Sequence, residues 1–307
     1  MPSTIHIQKI AEYDGHTGAI YALALDEVRH IMYTSGDDGI VVAWNLKDDG
    51  HKGKGILRLQ EGVYALAFVP HSDMLLVGTS AGNVYMVDII NQVIGHTYRL
   101  NQQAIYNLHY HLPTQSVWVL HGKGDLSILD LEHLQVQKLL KLSHQHLRSI
   151  CGDANKEYVW IGSSDHRILL LKASSGKLVH QWQAHRNSVF TLNTDPTGKY
   201  LISGGRDAYL RIWDLQDNYK EIRAIPAHNF TINDLVFSPT NDHFVTASRD
   251  KTIKIWDAGS FELLKVIDLA RNESHTHSVN RIRWLDDGSI ISCSDDRKAM
   301  RWTISWQ

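Results

Sequence analysis

Residues 250–256 read DKTIKIW, and this stretch recurs at regular intervals along a chain of 307 residues. Strong copies read DGIVVAW, DAYLRIW and DRKAMRW, and weaker ones read AGNVYMVD, KGDLSILD and DHRILLLK. The positions that align with the tryptophan are Trp44, Val87, Leu129, Leu171, Trp213, Trp256 and Trp302. Their spacings are 43, 42, 42, 42, 43 and 46 residues, a period typical of repeat architectures. Seven units therefore account for nearly the whole chain.

Each unit is predicted to contain four short strands. In the sixth unit the runs are TINDLVF, HFVTAS, TIKIWD and ELLKVI, and turn-forming segments separate them. Ile253 and Ile255 alternate with Thr252 and Lys254, and a period of two indicates β-strand rather than helix. No helix is predicted. Four antiparallel strands repeated seven times around a channel make an all-β, seven-bladed β-propeller.

The two ends of the chain are predicted to meet in the last blade. After KAMRWTI only Ser305 to Gln307 remain, so unit seven lacks its fourth strand. The run from Thr4 to Ile10 precedes unit one and alternates as a strand does. We expect this N-terminal strand to pair with the last one, which closes the ring and removes its exposed sheet edges. The prediction is a single domain over residues 1–307.

Four units share a histidine, a hydroxyl residue, an aspartate and a tryptophan at matching positions. The histidine precedes the first strand, and the aspartate stands six residues before the tryptophan. The four sets are His16, Thr34, Asp38, Trp44; His185, Ser203, Asp207, Trp213; His228, Thr246, Asp250, Trp256; and His275, Ser292, Asp296, Trp302. Unit four is interpreted as keeping His144 and Asp165 with Leu171 in the tryptophan place, whereas units two and three lack the set.

The repeats resemble the WD40-repeat family over essentially the full chain. The resemblance rests on Trp213-Asp214 and Trp256-Asp257, in register with pairs such as Gly15-His16 and Ala184-His185. It implies that each indole donates to the hydroxyl, the hydroxyl to the imidazole, and the imidazole to the carboxylate. The four sets are therefore expected to be structural tetrads. Units two and three are expected to hold together by apolar packing.

A hydroxyl, an imidazole and a carboxylate are also the parts of a hydrolase triad. Catalysis requires one such set beside an oxyanion hole, whereas this chain has four sets, each with an indole donor for the hydroxyl. We therefore expect no catalytic residue and no enzymatic activity. A propeller enzyme acting on a small molecule near the channel remains an alternative.

Composition excludes several classes of protein. With 43% hydrophobic and 21% charged residues the chain is globular, and its net charge of −2 argues against a nucleic-acid binder. Cys151 and Cys293 are too few for a disulfide framework and are expected to be reduced core thiols. The sequence has no membrane span or apolar leader, so a cytoplasmic location is expected.

Metal and cofactor sites are not expected. Histidines spaced two apart, such as His109/His111, His144/His146 and His275/His277, raise the question of a metal, but no Cys or carboxylate cluster completes a ligand set. Nucleotide-binding loops need a glycine-rich turn that opens a helix, and the sequence predicts none. We therefore predict neither metal nor cofactor.

The family resemblance implies partner binding around one mouth of the channel. One set of expected positions lies five residues after the histidine place: Tyr21, Tyr64, Tyr106, Ser149, Phe190, Asn233 and Asn280. A second set immediately precedes the turn aspartate: Asp37, Ser80, Gly122, Ser164, Arg206, Arg249 and Asp295. Tyr and Arg are common interface anchors, and packing alone is the alternative role for the aromatic residues. Arg206 and Arg249 would suit the carboxylates or phosphates of an acidic or phosphorylated peptide.

The sequence thus predicts a non-enzymatic scaffold that binds a protein or peptide through this rim, as a monomer or in a hetero-complex. Weak association with nucleic acid through Arg206, Arg249, Arg211 and Lys254 is a further alternative.

Overall fold

A computed structural model describes residues 5–48, 52–153 and 155–306 of the chain. These residues form seven four-stranded antiparallel sheets arranged as the blades of a ring. The predicted all-β, seven-bladed propeller is confirmed. Within blades 1 to 6 the four strands follow one another in sequence, so each blade is a meander built from one repeat.

The strands of the first three blades follow directly after the N-terminal strand β1 (Ile5–Asp14). Blade 1 contains β2 (Ile20–Asp26), β3 (Ile31–Gly36), β4 (Ile40–Asn45) and β5 (Lys54–Arg58). Blade 2 contains β6 (Val63–Phe68), β7 (Met74–Thr79), β8 (Asn83–Asp88) and β9 (Val93–Arg99). Blade 3 contains β10 (Ile105–His111), β11 (Ser116–His121), β12 (Asp125–Asp130) and β13 (Val136–Lys141).

The other four blades complete the ring. Blade 4 contains β14 (Leu147–Gly152), β15 (Tyr158–Ser163), β16 (Arg167–Lys172) and β17 (Leu178–Gln183). Blade 5 contains β18 (Val189–Thr194), β19 (Tyr200–Gly205), β20 (Tyr209–Asp214) and β21 (Lys220–Pro226). Blade 6 contains β22 (Ile232–Phe237), β23 (His243–Ser248), β24 (Ile253–Asp257) and β25 (Leu263–Ile267). Blade 7 contains β26 (Val279–Trp284), β27 (Ile290–Ser294), β28 (Lys298–Trp306) and β1.

The N-terminal strand closes blade 7, as the sequence predicts. β1 pairs antiparallel with β28, and Ile7 lies opposite Ile304. The strand is longer than predicted, because it continues past Ile10 to Asp14, while Thr4 lies outside the described residues. The Lys298 ammonium forms an ion pair with the Glu12 carboxylate across this joint.

Two short helical turns depart from the prediction of no helix. A 3-10 turn spans Leu112–Thr114, and the one-turn helix α1 spans Leu269–Asn272. α1 occupies the extra residues of unit seven, and the Asp268 side chain caps it by accepting a hydrogen bond from the backbone N–H of Arg271. The additional length is therefore absorbed in a connection and leaves the blades unchanged.

The hydrophobic core lies between neighbouring blades. One cluster joins Ile255 of blade 6 to Ile282 and Trp302 of blade 7, all of them fully buried. Another joins Trp44 of blade 1 to Cys293 of blade 7 across the closure. Burial of one such side chain contributes roughly 1.5–3 kcal/mol, so every blade is stabilised by both neighbours. This packing fixes the seven innermost strands around the channel.

Candidate functional site at the channel mouth

The four structural tetrads form hydrogen-bonded chains, as blade 6 illustrates. Nδ1 of His228 lies 2.9 Å from Oδ2 of Asp250, and its Nε2 lies 2.8 Å from Oγ1 of Thr246. The indole Nε1 of Trp256 donates to the same Oγ1 at 2.9 Å. The hydroxyl is thus held between indole and imidazole, and the Asp250 carboxylate also accepts from the backbone N–H of Asn229.

Blades 1, 5 and 7 repeat this geometry. The histidine–carboxylate distance is 2.9 Å in each, and the histidine–hydroxyl distance is 2.8–2.9 Å. The tryptophan donor lies 2.7 Å from the hydroxyl in blade 1, 2.9 Å in blade 5 and 3.2 Å in blade 7. The residues are His16, Thr34, Asp38, Trp44; His185, Ser203, Asp207, Trp213; and His275, Ser292, Asp296, Trp302.

The charge state of the tetrads follows from their surroundings. Burial opposes ionisation of Asp250, but hydrogen bonds from His228, Thr252 and the Asn229 backbone hold its pKa below the usual range. Burial lowers the pKa of His228, although Asp250 acts in the opposite direction. At neutral pH the pair is therefore a carboxylate and a neutral imidazole, which leaves Nε2 as the acceptor for the threonine hydroxyl.

Blade 4 corrects the interpretation of His144. The side chain that contacts Asp165 is Ser143, whose Oγ donates to Oδ2 at 2.7 Å, while His144 is exposed. Ser143 precedes Asp165 by 22 residues, the same separation as His228 and Asp250. The predicted register was therefore wrong by one residue, because a histidine next to the correct position was taken as the anchor.

Blades 2 and 3 are not held by apolar packing alone. In blade 3, the Ser127 hydroxyl lies 2.8 Å from Nε2 of His121 and 2.7 Å from the hydroxyl of Tyr98, which belongs to β9 of blade 2, and all three side chains are buried. In blade 2, the Glu61 carboxylate accepts hydrogen bonds from Asn83 at 2.8 Å and Tyr85 at 3.0 Å. Both blades therefore contain substitute polar networks, which differ from the repeat in residue type and position.

A β-bulge in every innermost strand presents one side chain at the channel mouth. In each blade the first strand contains one extra residue that has no partner in the second strand. Such a bulge changes the direction in which the side chain of the extra residue points. The bulged residues are Tyr21, Tyr64, Tyr106, Arg148, Phe190, Asn233 and Asn280. All seven line one cavity of about 310 Å³, together with Arg281.

Arg148 is the member that sequence reasoning missed. Counting from His144 assigned Ser149 to this place, but Ser149 is buried and lines the channel below the mouth. Successive residues of a strand face opposite ways, so a slip of one residue selects the wrong side chain. The signal in the sequence was the apolar spacing, because Leu147 and Ile150 match Val189 and Leu192 of the next unit only when Arg148 aligns with Phe190.

Aromatic rings and one guanidinium form a continuous arc over blades 1 to 5. The Tyr21 and Tyr64 rings meet edge to face at 5.5 Å, and Tyr64 stacks on Tyr106 at 6.0 Å between centroids. The Arg148 guanidinium carbon lies 4.1 Å from the Tyr106 centroid and 5.0 Å from that of Phe190. All five side chains are half-buried, so the arc presents accessible apolar surface that is ordered by mutual contact.

The two asparagines of the rim are engaged in holding blades together. Nδ2 of Asn233 donates to the Val279 carbonyl at 2.8 Å, and Nδ2 of Asn280 donates to the Ile20 carbonyl at 2.8 Å. Each bond links one blade to the next, and the second crosses the closure between blades 7 and 1. These amides therefore hold together the innermost strands that form the channel mouth.

The charged rim positions fall on two sides of the mouth. Arg206 and Arg249 are exposed on blades 5 and 6, and neither guanidinium has an ion-pair partner among the described residues. Asp37 and Asp295 belong to blades 1 and 7, next to Tyr21. Burial raises the pKa of Tyr21, and both carboxylates add to the shift. The mouth is therefore basic on one side and acidic on the other.

The cations invoked for nucleic-acid binding are only partly available. Arg211 forms an ion pair with Glu221, and the Lys254 ammonium donates to the Ala227 carbonyl at 2.6 Å. Of these four side chains, only Arg206 and Arg249 are exposed and free of such contacts among the described residues. A pair of arginines is a smaller positive surface than nucleic-acid binders usually present.

Other kinds of site can be assessed for the described part of the chain. It contains no group of three or more His, Cys, Asp or Glu side chains arranged to hold a metal ion. None of its helices has the length and apolar character needed to cross a bilayer. Cys151 and Cys293 are free, and burial raises the pKa of both thiols to about 12.

Known proteins resemble the chain in both its repeats and its overall sequence. Residues 7–45, 176–214, 219–257 and 268–303 match the family described as WD domain, G-beta repeat, and these segments contain all four tetrad tryptophans. Striatin-4 of Homo sapiens is 24% identical over 245 residues, which cover 74% of this chain and 32% of that protein. The Striatin homolog of Dictyostelium discoideum is 22% identical over 248 residues, which cover 68% and 29%. The chain spans about a third of the length of these curated relatives.

Proposed function

Because this chain belongs to the WD40-repeat family, we propose that it is a non-enzymatic scaffold whose channel mouth binds a partner protein or peptide. The observation that carries the proposal is the arc from Tyr21 to Phe190, in which four aromatic rings and Arg148 are ordered but half exposed. Aromatic residues and arginine dominate the binding energy of interfaces because each combines a large contact area with directed hydrogen bonds. The seven bulges hold these side chains in place before binding, which reduces the entropy lost on association.

The partner segment is proposed to be acidic or phosphorylated. Arg206 and Arg249 have no ion-pair partner among the described residues; Arg206 lies near enough to Arg148 of the arc to lower its pKa, and Arg249 belongs to the next blade. A guanidinium binds a carboxylate or a phosphate through two parallel hydrogen bonds. Asp37 and Asp295 on the other side of the mouth would repel the acidic end and accept a basic one, so the segment would bind in one direction.

A non-enzymatic role is supported by the state of the tetrads. In blade 6 the Thr246 hydroxyl already has two partners, His228 and Trp256, and the same is true of the other three sets. A small-molecule enzyme is the alternative. It would be favoured if the purified chain hydrolysed a test ester or peptide and lost that activity on Asp250→Ala.

Capture of partners from native lysate tests the proposed surface. The wild-type chain is compared with Tyr64→Ala/Tyr106→Ala and with the control Val136→Ala/Leu139→Ala, whose side chains are exposed on the outer strand β13. We expect partners to be retained by the control and lost by the mouth variant. Equal capture by both variants would reject the mouth as the binding surface.

Binding to immobilised acidic and phosphorylated peptides tests the chemistry of the partner. Joint Arg206→Ala and Arg249→Ala should weaken binding, whereas unchanged affinity would reject the role of these two arginines. Size-exclusion chromatography of the purified chain and of the captured complex distinguishes a monomer from a subunit of a hetero-complex. A cytoplasmic location stays a prediction, to be checked by cell fractionation.

A further inference from the structure

The Arg148 guanidinium is held in a fixed orientation. The Tyr106 ring covers one part of it at 4.1 Å and the Phe190 ring another at 5.0 Å, both measured from the guanidinium carbon to the centroid. Its Nε donates to the Ser164 hydroxyl at 3.0 Å. Stacking on two rings and one hydrogen bond remove most of the rotational freedom that an arginine side chain normally retains. The group is therefore ordered before any ligand arrives.

The charge of Arg148 has no counter-ion among the described residues. The guanidinium makes no ion pair there, and burial lowers its pKa, whereas the nearby Tyr106 phenol acts in the opposite direction. Arg283, which lines the channel below, has such a partner, because its Nη1 lies 3.0 Å from Oδ2 of Asp234. A half-buried cation without a partner is costly, and a pair of in-plane donors fits a carboxylate or a phosphate.

Arg281 gives the same cavity a second cation. It belongs to β26, on the opposite side of the channel from Arg148, and it lines both the mouth cavity and the channel. Its guanidinium has no ion pair among the described residues. The eight side chains that line the cavity include two arginines, four aromatic residues and no carboxylate, and the Asp295 carboxylate at its edge accepts a hydrogen bond from Asn280 at 2.7 Å.

We propose that the mouth cavity binds one anionic group, a carboxylate or a phosphate on a partner side chain, with Arg148 as the bidentate anchor and Arg281 as a second donor. This inference rests on the proposed partner-binding function and moves the main anion contact from the exposed Arg206 and Arg249 into the cavity. The volume of about 310 Å³ admits a single acidic or phosphorylated side chain. The aromatic arc would cover its aliphatic part and strengthen the ion pairs by excluding water.

Nuclear magnetic resonance titration of the full chain with capped single amino acids tests the site. The probes are N-acetyl amides of glutamate and phosphoserine, with the glutamine derivative as a neutral reference of the same shape. Glutamate or phosphoserine should bind at least about tenfold more tightly than glutamine, because only they form charge-assisted bonds. The stronger of the two acids identifies the source of the anion. Equal binding of all three probes, or of none, would overturn the inference.

Variants assign the effect to the cavity. Arg148→Gln and, independently, Arg281→Gln should each remove most of the preference for the acids. Arg148→Lys should do so as well, since an ammonium cannot form the bidentate pair. Arg99→Gln, an exposed residue of the outer strand β9, is the matched control and should keep the preference. Loss of the preference in Arg206→Ala/Arg249→Ala but not in Arg148→Gln would place the anion on the outer rim and contradict the inference.

The outcome can be separated from that of the proposed function. Circular dichroism and thermal unfolding show whether each variant is folded. If Arg148→Gln does not fold, the titration of Arg281→Gln alone tests the cavity. If the acids show no preference while Tyr64→Ala/Tyr106→Ala still abolishes partner capture, the anion site is wrong and the binding surface stands. If partner capture is unchanged in Tyr64→Ala/Tyr106→Ala, the proposed partner-binding function is rejected, whatever the titration shows.

Discussion

Each tetrad residue contributes to the stability of the fold through the hydrogen bonds that it makes with the other members. Thr246 accepts from Trp256 and contacts His228, so each group in the chain is satisfied by the next. Removing one member leaves its neighbour with a missing partner in a buried site, which costs about 1–3 kcal/mol. Stability of this kind is distributed over four blades, and no single substitution removes it.

Trp256→Phe should lower the free energy of unfolding by about 1–2 kcal/mol beyond its packing effect, because the indole donor to Thr246 is lost. The matched control is Trp182→Phe, since the Nε1 of Trp182 is buried without a hydrogen-bond partner in the described residues. Urea denaturation followed by circular dichroism measures both. A Trp182→Phe loss as large as that of Trp256→Phe would contradict the role assigned to the donor.

His121 should make the protein less stable in mild acid. Burial lowers the pKa of this imidazole to about 4, from an ordinary value of 6.5 that the unfolded chain retains. As the pH falls, the unfolded chain therefore binds the proton before the folded chain does. The contribution of His121 to stability is complete above pH 6.5 and is lost as the pH falls toward 4, at up to about 1.4 kcal/mol per pH unit. His121→Gln should flatten this slope in denaturation at several pH values, while exposed His133→Gln should not. An unchanged slope in His121→Gln would rule out this histidine as the titrating group.

At the scale of the element, the bulge in each innermost strand connects repeat to function. The alternation of a strand alone would place residues such as Tyr64 and Arg148 on one face or the other of a sheet. The extra residue in each first strand directs them to the mouth instead, in all seven blades. The outer strand β1 plays a different part, because it supplies the partner that the edge of β28 would otherwise lack.

A cross-link between β1 and β28 tests the closure. Gln8 and Thr303 lie opposite each other and both are exposed, so Gln8→Cys/Thr303→Cys should form a disulfide on mild oxidation. The oxidised form should unfold at higher denaturant concentration by a few kcal/mol, because the bond closes a very long loop, and reduction should reverse the gain. Gln8→Cys alone is the control. Failure of the pair to cross-link in the folded protein would contradict the closed ring.

Across the whole molecule, the rim of the channel mouth is positively charged on one side and negatively charged on the other. Ring closure creates the negative side. Asp37 and Asp295 are far apart in sequence yet both act on Tyr21, because blade 7 follows directly on blade 1 around the ring. Arg206 and Arg249 lie on the neighbouring blades 5 and 6. Such a separation of charge directs an approaching charged segment over distances of about 10 Å at moderate salt.

Association with an acidic peptide should depend on this polarity. Arg206→Glu/Arg249→Glu should slow association about tenfold at low salt and remove most of its salt dependence, whereas Asp37→Asn/Asp295→Asn should leave it unchanged or faster. Surface plasmon resonance at two salt concentrations measures both rates. Identical association rates in the two double variants would exclude steering by the rim.

The period of about 42 residues and the alternation within each unit were sufficient to predict seven blades, the closing N-terminal strand and the residues of four tetrads, because these features depend on local pattern and recur in register. The identity of Ser143 in blade 4, the network of Tyr98, Ser127 and His121, and the position of Arg148 between two rings were decided only by the folded chain. These contacts join residues of different strands or blades at places where the repeat has diverged. No periodic pattern can specify which side chain replaces a missing partner, since that depends on the distances the closed ring imposes.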